Sequence, residues 1–444
     1  MMGYLVYFNV AKSRDIIRSP YNARLDSYAD RVVRGKILDK TGKILAETEV
    51  AQDGTETRKY PYGRMFAHVV GYSEKGKSGL ETQANFELLT SNAFFLEKLM
   101  TEFQDKKNIG DNVVTTLDAN LQEAAYNALG NSKGAVVVME PSTGKVLAMV
   151  SKPDFDPNAV LTNWEVLNAD PESSLLNRAT QGLYAPGSTF KVVTLLEFIR
   201  ENPGYASYGY TCSGQIENSG TSISCYGGKV HGELDLRNSL AYSCNTSFSN
   251  IGLTLNVDKY QDTAKELLFN SKLPTVFTSH SKSTFSLEKE DDAGAKMMTA
   301  MGQGETQVSP YHMALITSAI ANGGTLMKPY LIDSVTNYTG TIIDKNKPEE
   351  YGKLMSSDEA ALLKDYMTSV AEYGTASVLS GRAYTAAGKT GTAEYSSDKS
   401  KDHSWFIGMS NVDNPDLVIS VIIEESDGTA KAVNVAKSVF DAYY

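Results

Sequence analysis

Cysteine is nearly missing from these 444 residues: only Cys212, Cys225 and Cys244 occur. An odd count excludes a complete intrachain disulfide framework, so the fold must rest on a core. No run reaches the roughly 18 apolar residues of a membrane-crossing helix. The opening "MMGYLVYFNV" is apolar and aromatic but short. It has no basic start and no small-residue cleavage site, so it is not a signal peptide. It reads either as an ordinary terminal element or as the outer end of a membrane anchor. Positive charge is also in deficit: the net charge is −11 and the pI about 5.1. A nucleic-acid partner is therefore excluded, because phosphate needs a basic footprint. With only five histidines and no G-x-S-x-G elbow, a Ser-His hydrolase layout has no support.

What is present is enough for two or three domains with a large core: hydrophobic residues make up 41% and charged residues 21%. Residues 9–33 are polar and read as helix and loop. Arg34–Thr48, "RGKILDKTGKILAET", reads as a hairpin about Lys40-Thr41-Gly42. Tyr60–Glu81 is turn-rich, and 82–102 alternates as an amphipathic helix. "QDKKNIGDN" (Gln104–Asn112) is charged and glycine-bearing, and a domain boundary is placed there, between 111 and 112. Leu117–Gly130 carries helix signals, with Asp118 as cap and Gly130 as stop. Gly134–Ser151 is a hairpin of two apolar strands around Pro-Ser-Thr-Gly. The middle, 161–375, reads as mainly helix and loop. Strands return at Tyr384–Glu394, Ser404–Met409 and Leu417–Ile423, and a helix at Ala432–Tyr443 follows. Short-connected strands at both ends of a helical segment predict one α+β domain with an antiparallel sheet.

The chemistry concentrates in "APGSTFK" (Ala185–Lys191). From Phe190 to Ile199 the apolar positions cover nearly all faces, which predicts a helix buried inside a domain; Asn202-Pro203-Gly204 ends it. Ser188 then stands at the helix N-terminus, three residues before Lys191 and able to touch it. Burial lowers a lysine pKa and makes a neutral amine accessible, able to take the serine proton. The free N–H groups and positive field of the helix start favour an oxyanion. Acyl transfer through a serine ester follows. Alone, S-x-x-K is no more than a capped helix with a snorkelling lysine. It is joined here by Ser243-Cys244-Asn245, after the short helical "LRNSLAY", and by Lys389-Thr390-Gly391-Thr392 on a strand. S-x-x-K, S-x-N and K-T-G in this order are the signature of penicillin-binding proteins and serine β-lactamases.

At this point the chain resembles the class B penicillin-binding proteins, the monofunctional D,D-transpeptidases of bacterial cell-wall synthesis. Beyond the three motifs, the stretches "RGKILDKTGKILAE", "YPYGRMFAHVVGY…GLE", "GAVVVMEPSTGKVLAMVSKPDFDPN", "NRATQGLYAPGSTFK", "MGQGETQVSP" and "AGKTGTAE…HSWFIG" are similar to that family. The first two have no counterpart in serine β-lactamases. The resemblance implies a short N-terminal pedestal (1–111) after a membrane anchor, and a transpeptidase domain (112–444), a mostly antiparallel sheet between helices. It implies work outside the cytoplasmic membrane on peptidoglycan stem peptides, inhibition by β-lactams, and a membrane-bound glycan polymerase as partner. It implies roles by position. Ser188 attacks the carbonyl between two D-alanines and Lys191 is its base. Ser243 relays a proton to the leaving D-alanine, helped by Lys389. Asn245 binds the substrate backbone and Lys191. Thr390 and Thr392 take the terminal carboxylate, and Gly391 leaves room for a substrate laid along the strand. The N–H groups of Ser188 and Thr392 form the oxyanion hole. Water in place of the acceptor amine makes a D,D-carboxypeptidase or β-lactamase. A pocket kept for binding alone makes a β-lactam sensor or scaffold, against which the complete motif set argues.

The cysteines then return. Cys212-x12-Cys225-x5-His231-x12-Cys244 is a complete tetrahedral set for structural zinc, and Cys244 lies inside S-x-N itself. Some elongation-type members of the family are similar in binding a metal at such spacings. A Cys212–Cys225 disulfide with Cys244 free, or three separate buried thiols, are the alternatives. The chemistry itself requires no cofactor. His403-Ser404-Trp405-Phe406 reads as packing at the head of the next strand, and Tyr184 and Trp164 as core aromatics near a cleft.

Overall fold

The computed structural model describes residues 29–94, 98, 103, 106–277, 279–394, 402–426, 428 and 431–444. The apolar opening, almost all of the 9–33 reading and most of 95–102 lie outside the described residues. Among the described residues no helix is long and apolar enough to cross a membrane.

The centre is a five-stranded sheet, antiparallel throughout, in the spatial order 386–394, 402–410, 417–426, 134–140, 145–152. The predicted end strands are all in it. The runs "AVVVM" and "VLAMV" are buried at every position, not at alternate ones, because helices cover both faces. Ala119–Leu129 and Ala432–Tyr443 pack together on the sheet, and Pro310–Ala321 packs against its inner strands. All twelve residues of Pro310–Ala321 are buried, so this helix runs through the interior. Its start is set by the Ser309 cap and a proline in the first turn. Asp118 caps Ala119–Leu129 as expected, accepting from the N–H groups of Asn120 and Leu121.

A second sheet has six strands, in the order 342–345, 332–336, 112–115, 37–38, 44–50, 56–59. It takes strands from both sides of the expected boundary. Asn112–Thr115 pairs in parallel with Ile37–Leu38 and antiparallel with Ile332–Thr336. Beside it the pedestal motifs meet in one buried cluster. Glu81, fully buried, takes the Arg34 and Arg58 Nε groups at 2.6 and 2.7 Å and the Tyr60 hydroxyl at 3.2 Å. Burial raises the Glu81 carboxyl pKa, but the two guanidinium groups outweigh it and hold it below its ordinary value.

The middle of the chain is mainly helix and loop, as expected, but it also carries short strands. These form the hairpins 215–218/221–224 and 332–336/342–345 and the pairs 325–327/350–353 and 209–212/232–235. These strands are short and mostly polar ("QIEN", "TSIS"), so they leave no apolar run to find. The first hairpin is made by its turn: Ser219 and Gly220 both have positive φ, at 50° and 84°. The expected helix over 82–102 is interrupted: Gly79–Gln83 and Asn85–Leu88 end before Thr90, 90–94 are not helical, and Lys98 is helical again.

Candidate active site

Ser188 lies in a 3-10 turn, Gly187–Phe190, that leads into the helix Lys191–Glu201. Every residue of that helix from Lys191 to Ile199 is buried, as its all-round apolar pattern predicts. The turn is tight. Gly187 has φ +53°, and a Cβ there would lie 2.5 Å from the Thr392 carbonyl oxygen. A Cβ on Gly302 would lie 1.9 Å from the Gly187 carbonyl oxygen, and Gly187 N–H donates to the Gly302 carbonyl at 2.8 Å. Only glycines allow the nucleophile turn, the K-T-G strand and the "MGQG" loop to come this close.

The S-x-N residues sit at a break between two helices, Leu236–Ala241 and Asn245–Thr254. Ser243 is left-handed, φ +56°, at a cost of about 1–2 kcal/mol for a residue with a side chain. Its N–H donates to Leu240, and the next N–H, of Cys244, to Ser239. Cys244 caps the second helix, its Sγ accepting from Ser247 N–H at 3.4 Å. Asn245 donates from Nδ2 to the Ser224 carbonyl at 3.1 Å.

Both lysines converge on this break. Lys191 Nζ donates to Asn245 Oδ1 at 2.7 Å, to the Ser243 carbonyl at 2.9 Å and to Ser243 Oγ at 3.3 Å. Lys389 Nζ donates to the same Oγ at 2.8 Å and to the Thr390 carbonyl at 2.9 Å. Burial pushes the Lys191 amine down to about 7, against an opposing pull from Cys244 and Cys225. Burial, and then Lys191, push Lys389 well below its ordinary value. The expected contact between Ser188 and Lys191 is not a hydrogen bond here: among the described residues Ser188 Oγ has no partner. An ammonium has three donors and no acceptor, and three oxygens of the S-x-N turn take all three.

Lys389, Thr390, Gly391 and Thr392 lie on the sheet's edge strand, Ala386–Glu394. The Thr390 carbonyl accepts from Lys389, and the Thr392 carbonyl from Gln303 Nε2 at 3.4 Å. In an antiparallel ladder the N–H and C=O of one residue point the same way. The N–H groups of Thr390 and Thr392 therefore face the free edge, beside Ser188. Gly391 also has a packing reason within the protein. A Cβ there would meet Thr189 Cγ2 and Trp405 Cβ at 3.0 Å and the Pro186 carbonyl at 3.2 Å. The glycine makes room for the nucleophile turn and for Trp405. Two neighbours had no individual signal in the sequence: Gln303, within a stretch noted only as a whole, and Thr375, whose Oγ1 is 2.6 Å from Thr390 Oγ1.

Cys212, Cys225, His231 and Cys244 also converge, their ligand atoms all within 4.8 Å of one another. Pairing of Gly209–Cys212 with Gly232–Asp235 brings Cys212 opposite Gly232 and thus beside His231. The Cys212–Cys225 and Cys225–Cys244 sulfurs are 3.7 Å apart, and His231 Nδ1 is 3.4 Å from Cys212 Sγ. All three thiols are free, so the Cys212–Cys225 disulfide is not formed. Tetrahedral zinc with bonds of about 2.3 Å to sulfur sets sulfurs about 3.8 Å apart. The set fits zinc further in its surroundings: its three cysteines are buried, it lacks a carboxylate, and Thr246 Oγ1 donates to Cys212 Sγ at 3.2 Å.

The chain matches known proteins over most of its length. Residues 134–444 match the penicillin binding protein transpeptidase domain, and 34–113 the penicillin binding protein A dimerisation domain. The chain therefore belongs to the class B penicillin-binding proteins. It is 33% identical over 446 residues to peptidoglycan D,D-transpeptidase PbpA of Mycolicibacterium smegmatis, covering 94% of this chain and 89% of that one. Its fold is similar to penicillin-binding protein A from M. tuberculosis in its imipenem acyl-enzyme complex, with a TM-score of 0.85, 29% identity, and coverage of 94% of this chain and 99% of that one. It is also similar to the D,D-transpeptidase domain of a peptidoglycan glycosyltransferase from Eggerthella lenta, with a TM-score of 0.82, 32% identity, and coverage of 93% of this chain and 99% of that one.

Proposed function

We propose that Ser188 is the nucleophile of a serine-type D,D-transpeptidase, and that the Lys191–Ser243–Lys389 relay moves its protons. That the chain is a peptidoglycan D,D-transpeptidase acylated by β-lactams follows from its family. The assignment of steps to residues rests on one observation: two buried, depressed lysines share the Ser243 hydroxyl beside Ser188.

In this reading, neutral Lys191 accepts the Ser188 proton as Oγ attacks the carbonyl between two D-alanines of a stem peptide. The N–H groups of Ser188 and Thr392 hold the oxyanion. The C–N bond breaks, and the leaving amine takes a proton through Ser243, helped by Lys389. Asn245 binds the donor backbone and Thr390 and Thr392 its carboxylate. An amine from a second stem peptide then attacks the ester and frees Ser188. A β-lactam enters the same way, but its leaving amine stays tethered in the opened ring.

Cys212, Cys225, His231 and Cys244 would hold a zinc ion with no open position, so its chemistry is purely structural. It would fix Cys244, the residue between Ser243 and Asn245. Peptidoglycan lies outside the cytoplasmic membrane, and the reading is completed by a tether on the N-terminal side and a glycan polymerase in that membrane, both by family resemblance.

The test supplies a donor ending in D-Ala-D-Ala with and without an excess of amine acceptor. Amine-linked product should dominate over hydrolysed donor. Hydrolysis alone would mark a carboxypeptidase. Neither product, from protein that still binds penicillin covalently, would mark a sensor.

A further inference from the structure

Trp405 is 1% exposed and lies on Asp402–Ser410, the strand next to the K-T-G edge strand, directly across from Gly391. Its indole N–H is not spent inside the sheet. It donates at 3.0 Å to the carbonyl of Ala185, three residues before Ser188. One side chain thus packs under the K-T-G glycine and holds the lead-in of the nucleophile turn. The other polar groups of that lead-in are held too. Tyr184 exchanges both backbone bonds with Val308, and Thr189 Oγ1 donates to the Pro186 carbonyl at 2.7 Å. Gly187 N–H goes to Gly302. The Ala185 carbonyl is tied by the Trp405 side chain directly to the strand that pairs with the K-T-G strand.

The indole is itself braced. Tyr184 meets its ring edge-on at 6.0 Å, and the Tyr184 hydroxyl donates to Glu424 Oε1 at 2.5 Å. Arg178 Nε donates to the same Glu424 oxygen at 2.8 Å. The chain of contacts runs Arg178, Glu424, Tyr184, Trp405, Ala185, and ends at Ser188 without meeting the cleft.

We infer that Trp405 is a positioning residue for acylation: its bond to the Ala185 carbonyl sets the nucleophile turn against the K-T-G strand, so that the N–H groups of Ser188 and Thr392 converge on one oxygen. This rests on the Ser188 reading above. A small displacement of one donor weakens an oxyanion hole without touching the groups that bind the ligand at rest. The signature is therefore a split: slower acylation at unchanged reversible binding.

The experiment follows penicillin acylation of Trp405→Phe over a range of drug concentrations, separating the reversible constant from the acylation rate. The rate should fall about tenfold with the reversible constant unchanged, because phenylalanine cannot donate to the Ala185 carbonyl and the groups that bind the ligand at rest are left in place. Intact mass should still show one drug on Ser188. Tyr184→Phe, which removes only the hydroxyl, should shift the same rate in the same direction by less. If the indole change prevents folding, Tyr184→Phe decides alone. An unchanged acylation rate in a folded variant, or a weakened reversible constant with the rate intact, overturns the inference. Absence of any adduct on the wild type overturns the Ser188 reading instead.

Discussion

Lys191→Met will slow acylation by penicillin at least about a hundredfold, the lower end of what a positioned general base contributes. The side chain is buried, so an unbranched apolar replacement keeps most of the packing and removes only the amine. Three acceptors lose their donor: Asn245 Oδ1, the Ser243 carbonyl and Ser243 Oγ, the last still held by Lys389. The wild-type rate also carries a pH signature. Burial pushes the Lys191 amine down to about 7, and only its neutral form accepts a proton. The rate should fall as pH drops below about 7 and level off above it. Lys191→Met should be flat across that window. Lys191→Arg should not rescue, because guanidinium does not deprotonate in this range. A wild-type rate in Lys191→Arg would remove Lys191 from the role of base. Acylation rates by stopped flow between pH 5.5 and pH 9 decide it.

The second large effect concerns the cluster of Cys212, Cys225, His231 and Cys244. Metal analysis of protein purified without chelator should find one zinc per chain, with the three thiols unreactive. Stripping the metal under reducing conditions should slow acylation about tenfold or more and lower the thermal midpoint, with both restored by zinc. The mechanical path is short. Cys244 caps the helix that begins at Asn245, and Asn245 Oδ1 holds Lys191 at 2.7 Å. Loosening Cys244 therefore loosens the left-handed Ser243 and both lysine contacts. Three titratable thiols and no metal in active protein would contradict the proposal.

How much of this was legible depends on how local each signal is. S-x-x-K, S-x-N and K-T-G are short because each sits on one turn or strand, so their residues could be read directly. The central sheet was legible because it contains continuous apolar runs, such as "AVVVM" and "VLAMV". The six-stranded sheet was not: Asn112–Thr115 gains its meaning from partners at 37–38 and 332–336. Nor does spacing along a helix show that Lys191 spends its donors on a turn more than fifty residues away. The HSWF stretch was read as packing, and Trp405 does pack, but its bond to Ala185 spans 220 residues. Gly391 was assigned its space from the substrate, and the sequence did not show that Thr189 and Trp405 also pack against it. Side-chain contacts across such separations leave no pattern within a motif.

The central claim is that Ser188 is the acylated nucleophile, and intact mass after incubation with penicillin tests it most directly. Wild-type protein should gain one drug mass that persists for longer than the incubation, and Ser188→Ala should gain none. An adduct that survives in Ser188→Ala, or none on folded wild type, would contradict it.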